Sequence, residues 1–193
     1  YPLLEDNTSF FIAADFDDKN WKESIQKLHL VCVKHEIPAY VERSRSGNGG
    51  HLWIFFEENF PAKQTRKLLY ELLREASVIS HFDKDASFDR LFPNQDFHTG
   101  KGLGNLIALP LNGNALMNGN SAFLNPENYL PYDNQFEIIK TFRKLSMDKF
   151  RSIYKDFFNE KVDDFFKSSF DRDSRQTIEI QISGQIYLKR LHL

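Results

Sequence analysis

Two aspartates, Asp15 and Asp17, follow an apolar stretch and are separated by a single residue. Side chains alternate across a β-strand, so both carboxylates would leave the same face about 7 Å apart. Like charges at this spacing repel unless a cation lies between them, and Mg²⁺ takes one or two carboxylates together with phosphate oxygens. The pair therefore indicates a metal site, although an acidic turn at a strand end would look the same, because Asp18 follows.

A glycine-rich turn over residues 46–50, Ser-Gly-Asn-Gly-Gly, leads into His51. Successive backbone N–H groups in such a turn can bind phosphate. Ser46 and His51, at its two ends, could each donate to a phosphate oxygen, and Arg43 and Arg45 add positive charge. An ordinary hairpin turn with a surface histidine would have the same residues. Beside the paired aspartates, we favour the phosphate site.

A third polar stretch, over residues 80–102, precedes Asn105 and carries several acids. Lys101 lies among three glycines, where a backbone can approach phosphate closely. The stretch is not a Walker loop, because no Gly-Lys-Ser/Thr sequence opens a helix there. Asp96 is a candidate third carboxylate, Asp89 is an alternative, and solvated loop charge would explain either acid equally well.

Strands and helices must bring these three stretches together. Periodicity predicts helices over 19–36 and 61–77, strands over 38–45, 51–57 and 105–110, a loop over 112–128, two or three helices over 133–170, and a hairpin over 177–190. Strands that alternate with helices and are then followed by clustered helices indicate a mixed sheet, an α+β or α/β domain. A split β-α-β core fits the first 110 residues.

Composition limits the classes of protein and of partner. The 193 residues suit one large domain, and the first is Tyr rather than Met, so we expect a piece of a longer protein. A net charge of −2 gives no bulk attraction to nucleic acid or membrane, so a polyanion would need a local basic patch. Such a patch, or an ordinary solvated helix face, is formed by Lys140, Arg143, Lys144, Lys149 and Arg151.

The single cysteine, Cys32, excludes an intramolecular disulfide and favours an intracellular protein. No apolar run approaches the roughly 18 residues that span a bilayer.

The motifs together resemble those of the archaeo-eukaryotic primase superfamily. Asp15-Phe16-Asp17 resembles its first motif, and residues 46–53 resemble its second, a small residue and a histidine that hold the incoming nucleotide. Gln95-Asp96, followed nine residues later by Asn105, is similar to the third. The longer strings at 43–56, 90–96 and 104–111 are most similar to the primase domains of TOTE conflict systems and to CRISPR-associated primase-polymerases.

The resemblance implies a fold and a set of site residues. The fold would be that of archaeo-eukaryotic primases, an RRM-like split β-α-β sheet with additional helices and a C-terminal β-hairpin. Asp15, Asp17 and Asp96 would bind two divalent ions, Mg²⁺ or Mn²⁺. Ser46 and His51 would contact the triphosphate, joined by Lys101 and Asn105. Many members carry an arginine after the third motif; its charge would come here from Lys101, Arg43 or Arg45.

The implied activity is that of a DNA-dependent primase-polymerase. It would synthesise primers de novo on single-stranded DNA and extend them from nucleoside triphosphates, releasing pyrophosphate. The expected setting is the prokaryotic cytoplasm, without a membrane partner and with fused or associated CRISPR, helicase or nuclease modules. We expect one catalytic domain over 1–193, made of a core (1–125), a helical part (126–175) and the terminal hairpin (176–193).

Two other functions fit some of the same residues. A metal-dependent nuclease also uses paired acids, but it has no need for a triphosphate-shaped turn. A non-enzymatic single-strand-binding module would need exposed aromatic residues rather than acids on its binding strand, because carboxylates without metal repel phosphate.

Overall fold

The computed structural model describes residues 2–80, 83, 86–98 and 106–159, together with the backbone of 177–182 and 185–190. The chain divides into two compact units, Tyr1–Ile153 and Tyr154–Leu193. The elements in chain order are β1 (Thr8–Phe16), α1 (Trp21–Lys34), β2 (Tyr40–Arg43), β3 (Gly50–Pro61), α2 (Ala62–Glu75), β4 (Phe88–Phe92), α3 (Gly113–Leu116), β5 (Ala122–Phe123), α4 (Gln135–Lys140), α5 (Met147–Phe158), β6 (Thr177–Ile182) and β7 (Gln185–Arg190). In the second unit, β6 pairs antiparallel with β7.

The first unit is built on a five-stranded antiparallel sheet with strand order β4-β1-β3-β2-β5. Alternation along β1 sends Ile12 and Phe16 to one face, where both are buried. Leucines of α2, among them Leu68 and Leu72, surround the same apolar space as Ile12 and Ile54. This face therefore holds the main core, with the sheet packed against helices.

The opposite face of the sheet is apolar over half of its length. Ala13, Trp53, Phe92 and Phe123 form a buried cluster there. Partly buried residues of β1, β2, β3 and the segment 107–142 pack against it: Phe11, Tyr40, Phe55, Ile107, Leu111, Tyr132, Ile139 and Phe142. Because the middle strands are covered on both faces, β1 and β3 each contain an unbroken apolar run, over residues 10–14 and 52–56. The polar end of this face carries the candidate site.

The mixed α/β class predicted from the sequence is confirmed, but the sheet, expected to be mixed, has four antiparallel strand pairings. Three local predictions also differ from the structure, the first being the loop 112–128, which contains α3 and β5. The stretch 106–110, predicted as a strand, contains no strand, and β4 lies where only a polar stretch was expected. Among the described residues, no helix is both long and apolar enough to cross a membrane.

Candidate active site

Three carboxylates meet where β1 ends beside β4. One oxygen from each of Asp15, Asp17 and Asp89 lies within 4.8 Å of the other two. Asp15 and Asp89 are half-buried and Asp17 is exposed. The acid cluster, as we call these three residues, is thus open to solvent on one side and has the oxygen donors that a hard divalent cation prefers.

An irregularity in the β1–β4 pairing brings Asp89 into the acid cluster. Asp15 pairs with Arg90, whereas Phe16, the next residue, pairs with Phe88, so Asp89 is one extra residue in β4. Such a bulge bends the strand and redirects side chains. The rings of Phe16 and Phe88 still meet in the core, 5.7 Å apart between centroids. The bulge therefore lets β4 keep its apolar contact while Asp89 joins the acids.

The electrostatics of the acid cluster favour a bound cation. Burial raises the pKa of Asp17, and the neighbouring charges of Asp15 and Asp89 raise it further, while His51 and Arg90 oppose the shift. A divalent ion placed among these carboxylates would stabilise their negative charges. The three residues therefore fit Mg²⁺ or Mn²⁺, the ions expected from the sequence.

His51 lies beside the acid cluster, between carboxylates of two neighbouring strands. It is the register partner of Asp15 on β1 and of Glu42 on β2. Its Nε2 lies 3.3 Å from Asp15 Oδ1 and its Nδ1 lies 2.8 Å from Glu42 Oε2. Burial alone would lower the pKa of His51, but the hydrogen bonds and charges of Asp15 and Glu42 outweigh it and raise the pKa to about 9. His51 is therefore a cationic donor at neutral pH.

The protonation of His51 predicts how stability depends on pH. Its pKa rises from 6.5 to about 9 on folding, so protonation favours the folded state; this contribution is complete below pH 6.5 and is lost as pH rises through 9. We expect metal-free protein to lose up to about 3 kcal/mol of unfolding free energy across that interval. Urea unfolding in EDTA at several pH values measures this. The variant His51→Gln should lack the decline, and an equal decline in the variant would contradict the assignment.

The glycine-rich turn packs directly against the acid cluster. A Cβ atom placed on Gly49 would lie 2.3 Å from the carbonyl oxygen of Phe16 and 2.7 Å from Asp17 Oδ1. Atoms cannot approach so closely without displacement, so only glycine allows the turn to lie here. The turn and the acids therefore form one site rather than two neighbouring ones.

Hydrogen bonds within the turn hold its shape. The backbone N–H of Gly49 donates to Ser44 Oγ (3.1 Å), and that of Asn48 donates to Ser46 Oγ (3.2 Å). Gly47 adopts a φ of +81°, in the left-handed region that glycine enters without strain. Ser46 is exposed at the rim of the turn. Its hydroxyl thus supports the turn and can also be reached from solvent.

The structure separates Asp96 from the acid cluster. Its Oδ1 accepts a hydrogen bond of 2.6 Å from Arg66 Nη1, in an ion pair with a residue of α2. Lys101 and Asn105, predicted to contact the nucleotide, lie outside the described residues. Arg43, one of three residues expected to supply a phosphate-binding charge, instead donates to the carbonyl oxygens of Gly119 (3.3 Å) and Tyr129 (3.4 Å). Arg43 therefore holds the segment 119–129, far away in sequence, close to the turn.

Sequence reasoning missed the role of Glu42 and left Asp89 as an alternative. The position of Glu42 follows from the turn. Ser44 N donates to Gly49 O and closes the turn, so the next pairs outward are Arg43 with Gly50 and Glu42 with His51. Nothing comparable marks Asp89, because the bulge in β4 breaks the alternation that a strand shows in sequence.

Comparison with known proteins gives one family. The family model described as "TOTE conflict system, Archaeo-Eukaryotic Primase domain" matches residues 1–153. The matched region contains β1 to β5, and with them all three acids, the glycine-rich turn and His51. No curated protein matches the chain.

Proposed function

Since the chain belongs to the archaeo-eukaryotic primase domain family of TOTE conflict systems, we propose that it is a DNA-dependent primase-polymerase. Membership indicates a nucleotidyltransferase. The proposal adds that it joins nucleoside triphosphates on single-stranded DNA, makes primers de novo and extends them, releasing pyrophosphate. The prokaryotic cytoplasm and the CRISPR, helicase or nuclease partners expected from the sequence belong to the same proposal.

The observation that carries the proposal is the meeting of the acid cluster with the glycine-rich turn. A nucleotidyltransferase needs acidic ligands for cations and neutral or cationic donors for a triphosphate, within a few ångströms of each other. Asp15, Asp17 and Asp89 supply the first, and Ser46 of the turn and His51 supply the second. The strand order β4-β1-β3-β2 within the element sequence β1-α1-β2-β3-α2-β4 supports an RRM-like core.

In this proposal each side chain has a defined task. Asp15, Asp17 and Asp89 hold the two divalent ions, which when bound would activate a 3′-hydroxyl and stabilise the leaving pyrophosphate. His51 Nε2, which faces Asp15 Oδ1 at 3.3 Å in this structure, would donate instead to a phosphate oxygen once Asp15 binds metal. The Ser46 hydroxyl, exposed at the rim of the turn, donates to a second phosphate oxygen, while the N–H groups of residues 47–49 donate within the turn and hold its shape. Positioning and charge stabilisation account for most of the catalysis in phosphoryl transfer, so no further general acid or base is required.

Much of the basic patch expected to bind the template is engaged in ion pairs. Three of the five basic residues expected to form a patch are in ion pairs with nearby acids, Lys140–Glu137, Lys149–Glu36 and Arg151–Asp148. These pairs favour the alternative of a solvated helix face. Single-stranded DNA remains the proposed partner on the grounds of family membership.

The test is synthesis on an unprimed template. Wild-type protein is incubated with single-stranded DNA, labelled nucleotides and Mn²⁺ or Mg²⁺, beside Asp17→Asn. We expect template-dependent products from the wild type alone. Shortening of end-labelled DNA without nucleotides would instead support a nuclease. DNA affinity that is unchanged by EDTA, with no nucleotide joined, would support a binding module.

A further inference from the structure

The carboxylate of Glu42 is buried beneath the proposed nucleotide site, with 1% of the residue exposed. Its Oε2 accepts hydrogen bonds from His51 Nδ1 and from Trp53 Nε1, each 2.8 Å long. Its Oε1 lies 3.5 Å from the hydroxyl of Ser121. A carboxylate this deep in a protein is tolerated only when donors surround it, and here they do.

The sheet places these donors around Glu42. His51 and Trp53 lie two residues apart on β3, so their side chains leave the same face. Glu42 on β2 is the register partner of His51 and therefore shares that face. The rings of His51 and Trp53 meet edge to face, with centroids 5.9 Å apart. Packing and two hydrogen bonds to one oxygen thus fix the plane of the imidazole.

The contact decides which nitrogen of His51 faces the site. Because Nδ1 donates to Glu42, Nε2 is the nitrogen directed toward Asp15 and the acid cluster. A carboxylate that binds one ring nitrogen commonly sets the orientation in which the other nitrogen acts. Glu42 is not one of the three acids whose oxygens converge on the cation site. It can therefore influence the nucleotide without contacting either nucleotide or metal.

We propose that Glu42 is a positioning residue, which holds His51 so that its Nε2 donates to the triphosphate of the bound nucleotide. The inference rests on the proposed function and deepens it. It assigns the buried carboxylate to nucleotide affinity rather than to metal binding. A merely structural role is the alternative, since losing one partner of a buried pair also destabilises a fold.

The experiment compares Glu42→Gln, His51→Ala and the double variant. Glutamine keeps the volume of Glu42 but removes its charge. Affinity for a fluorescent nucleoside triphosphate is measured with Ca²⁺ in place of the reactive ion, and Mn²⁺ affinity is measured separately. We expect Glu42→Gln to weaken nucleotide binding by about 10-fold, the lower end of the range found for residues that orient a metal-binding histidine. Mn²⁺ affinity should be unchanged.

The double variant separates positioning from structure. If Glu42 acts through His51, adding Glu42→Gln to His51→Ala should cost no further affinity. Glu75→Gln is the matched control, because Glu75 Oε2 accepts from His35 Nε2 (2.8 Å) in a second Glu–His pair, where α1 and α2 end. It should bind nucleotide as the wild type does. If Glu42→Gln does not fold, Trp53→Phe removes the indole donor together with part of a buried ring, and it should weaken nucleotide binding in the same direction while Mn²⁺ affinity is unchanged.

Two results would overturn the inference alone: wild-type affinity in Glu42→Gln, or losses that add fully in the double variant. If the wild type binds no nucleoside triphosphate in the presence of metal, the proposed function fails, and the inference fails with it.

Discussion

Asp17→Asn is expected to reduce nucleotide incorporation by at least about 1,000-fold, because a catalytic metal contributes several kcal/mol of charge stabilisation. The fold should survive. Burial and the charges of Asp15 and Asp89 raise the pKa of Asp17, so ionising this carboxyl is less favourable in the metal-free folded protein than in the unfolded chain. Removing that charge should leave the free energy of unfolding in EDTA equal to or above that of the wild type. Single-turnover incorporation and urea unfolding measure these two quantities, and Mn²⁺ titration measures metal affinity alongside them.

Asp18→Asn provides the neighbouring control for this prediction. Asp18 is the next residue along the chain, is exposed, and accepts a hydrogen bond from the backbone of Lys19 rather than joining the acid cluster. Its replacement should leave incorporation and Mn²⁺ affinity close to wild type. Normal activity in Asp17→Asn, or an equal loss in both variants, would show that the acid cluster is not the centre of catalysis.

Asp89→Asn should reduce incorporation by a factor of about 100 to 1,000, because it removes a charge from the metal site. Asp96→Asn should change incorporation less than about threefold, because it removes only a partly exposed ion pair. The geometry distinguishes the two acids. Asp89 lies in the acid cluster, and Asp96 is paired with Arg66 on α2. Parallel assays of both variants, with Mn²⁺ affinity as a second readout, decide which acid is the third ligand.

The reverse outcome has a clear meaning. If Asp96→Asn lost both Mn²⁺ binding and activity while Asp89→Asn kept them, the third ligand would be the residue expected from motif spacing. The Asp96–Arg66 pair would then have to open when metal binds. Loss of folding is not expected for Asp96→Asn, because partly exposed ion pairs contribute about 0–1 kcal/mol.

The first two motifs could be identified from sequence because each depends on local spacing. Asp15 and Asp17 end a long apolar strand, and the strand's alternation alone places them together. The glycines before His51 indicate a turn whatever the rest of the chain does. Their meeting was not predictable from local pattern, since it requires β1 and β3 to be neighbours in one register.

The third acid was harder to identify from the sequence, because β4 does not show the alternating pattern of a strand. Its sequence, Phe-Asp-Arg-Leu-Phe, places two charged residues side by side, and the extra residue at Asp89 breaks the period of two. A strand of five residues at the edge of a sheet also gives little signal. The apolar stretch that includes 106–110 has a stronger strand composition, yet Ile107 and Leu111 pack against the face of the sheet instead of pairing with an edge. A segment that packs on the face of a sheet and a strand buried within it favour the same apolar residues, so sequence alone does not distinguish them.

The closeness of Gly49 to Asp17 has a thermodynamic consequence. A ligand that moves or stiffens the turn must also act on the carboxylate that lies against it. Linkage then requires reciprocity: whatever factor a bound triphosphate adds to cation affinity, the cation adds to triphosphate affinity. Neither ligand is expected to bind independently of the other.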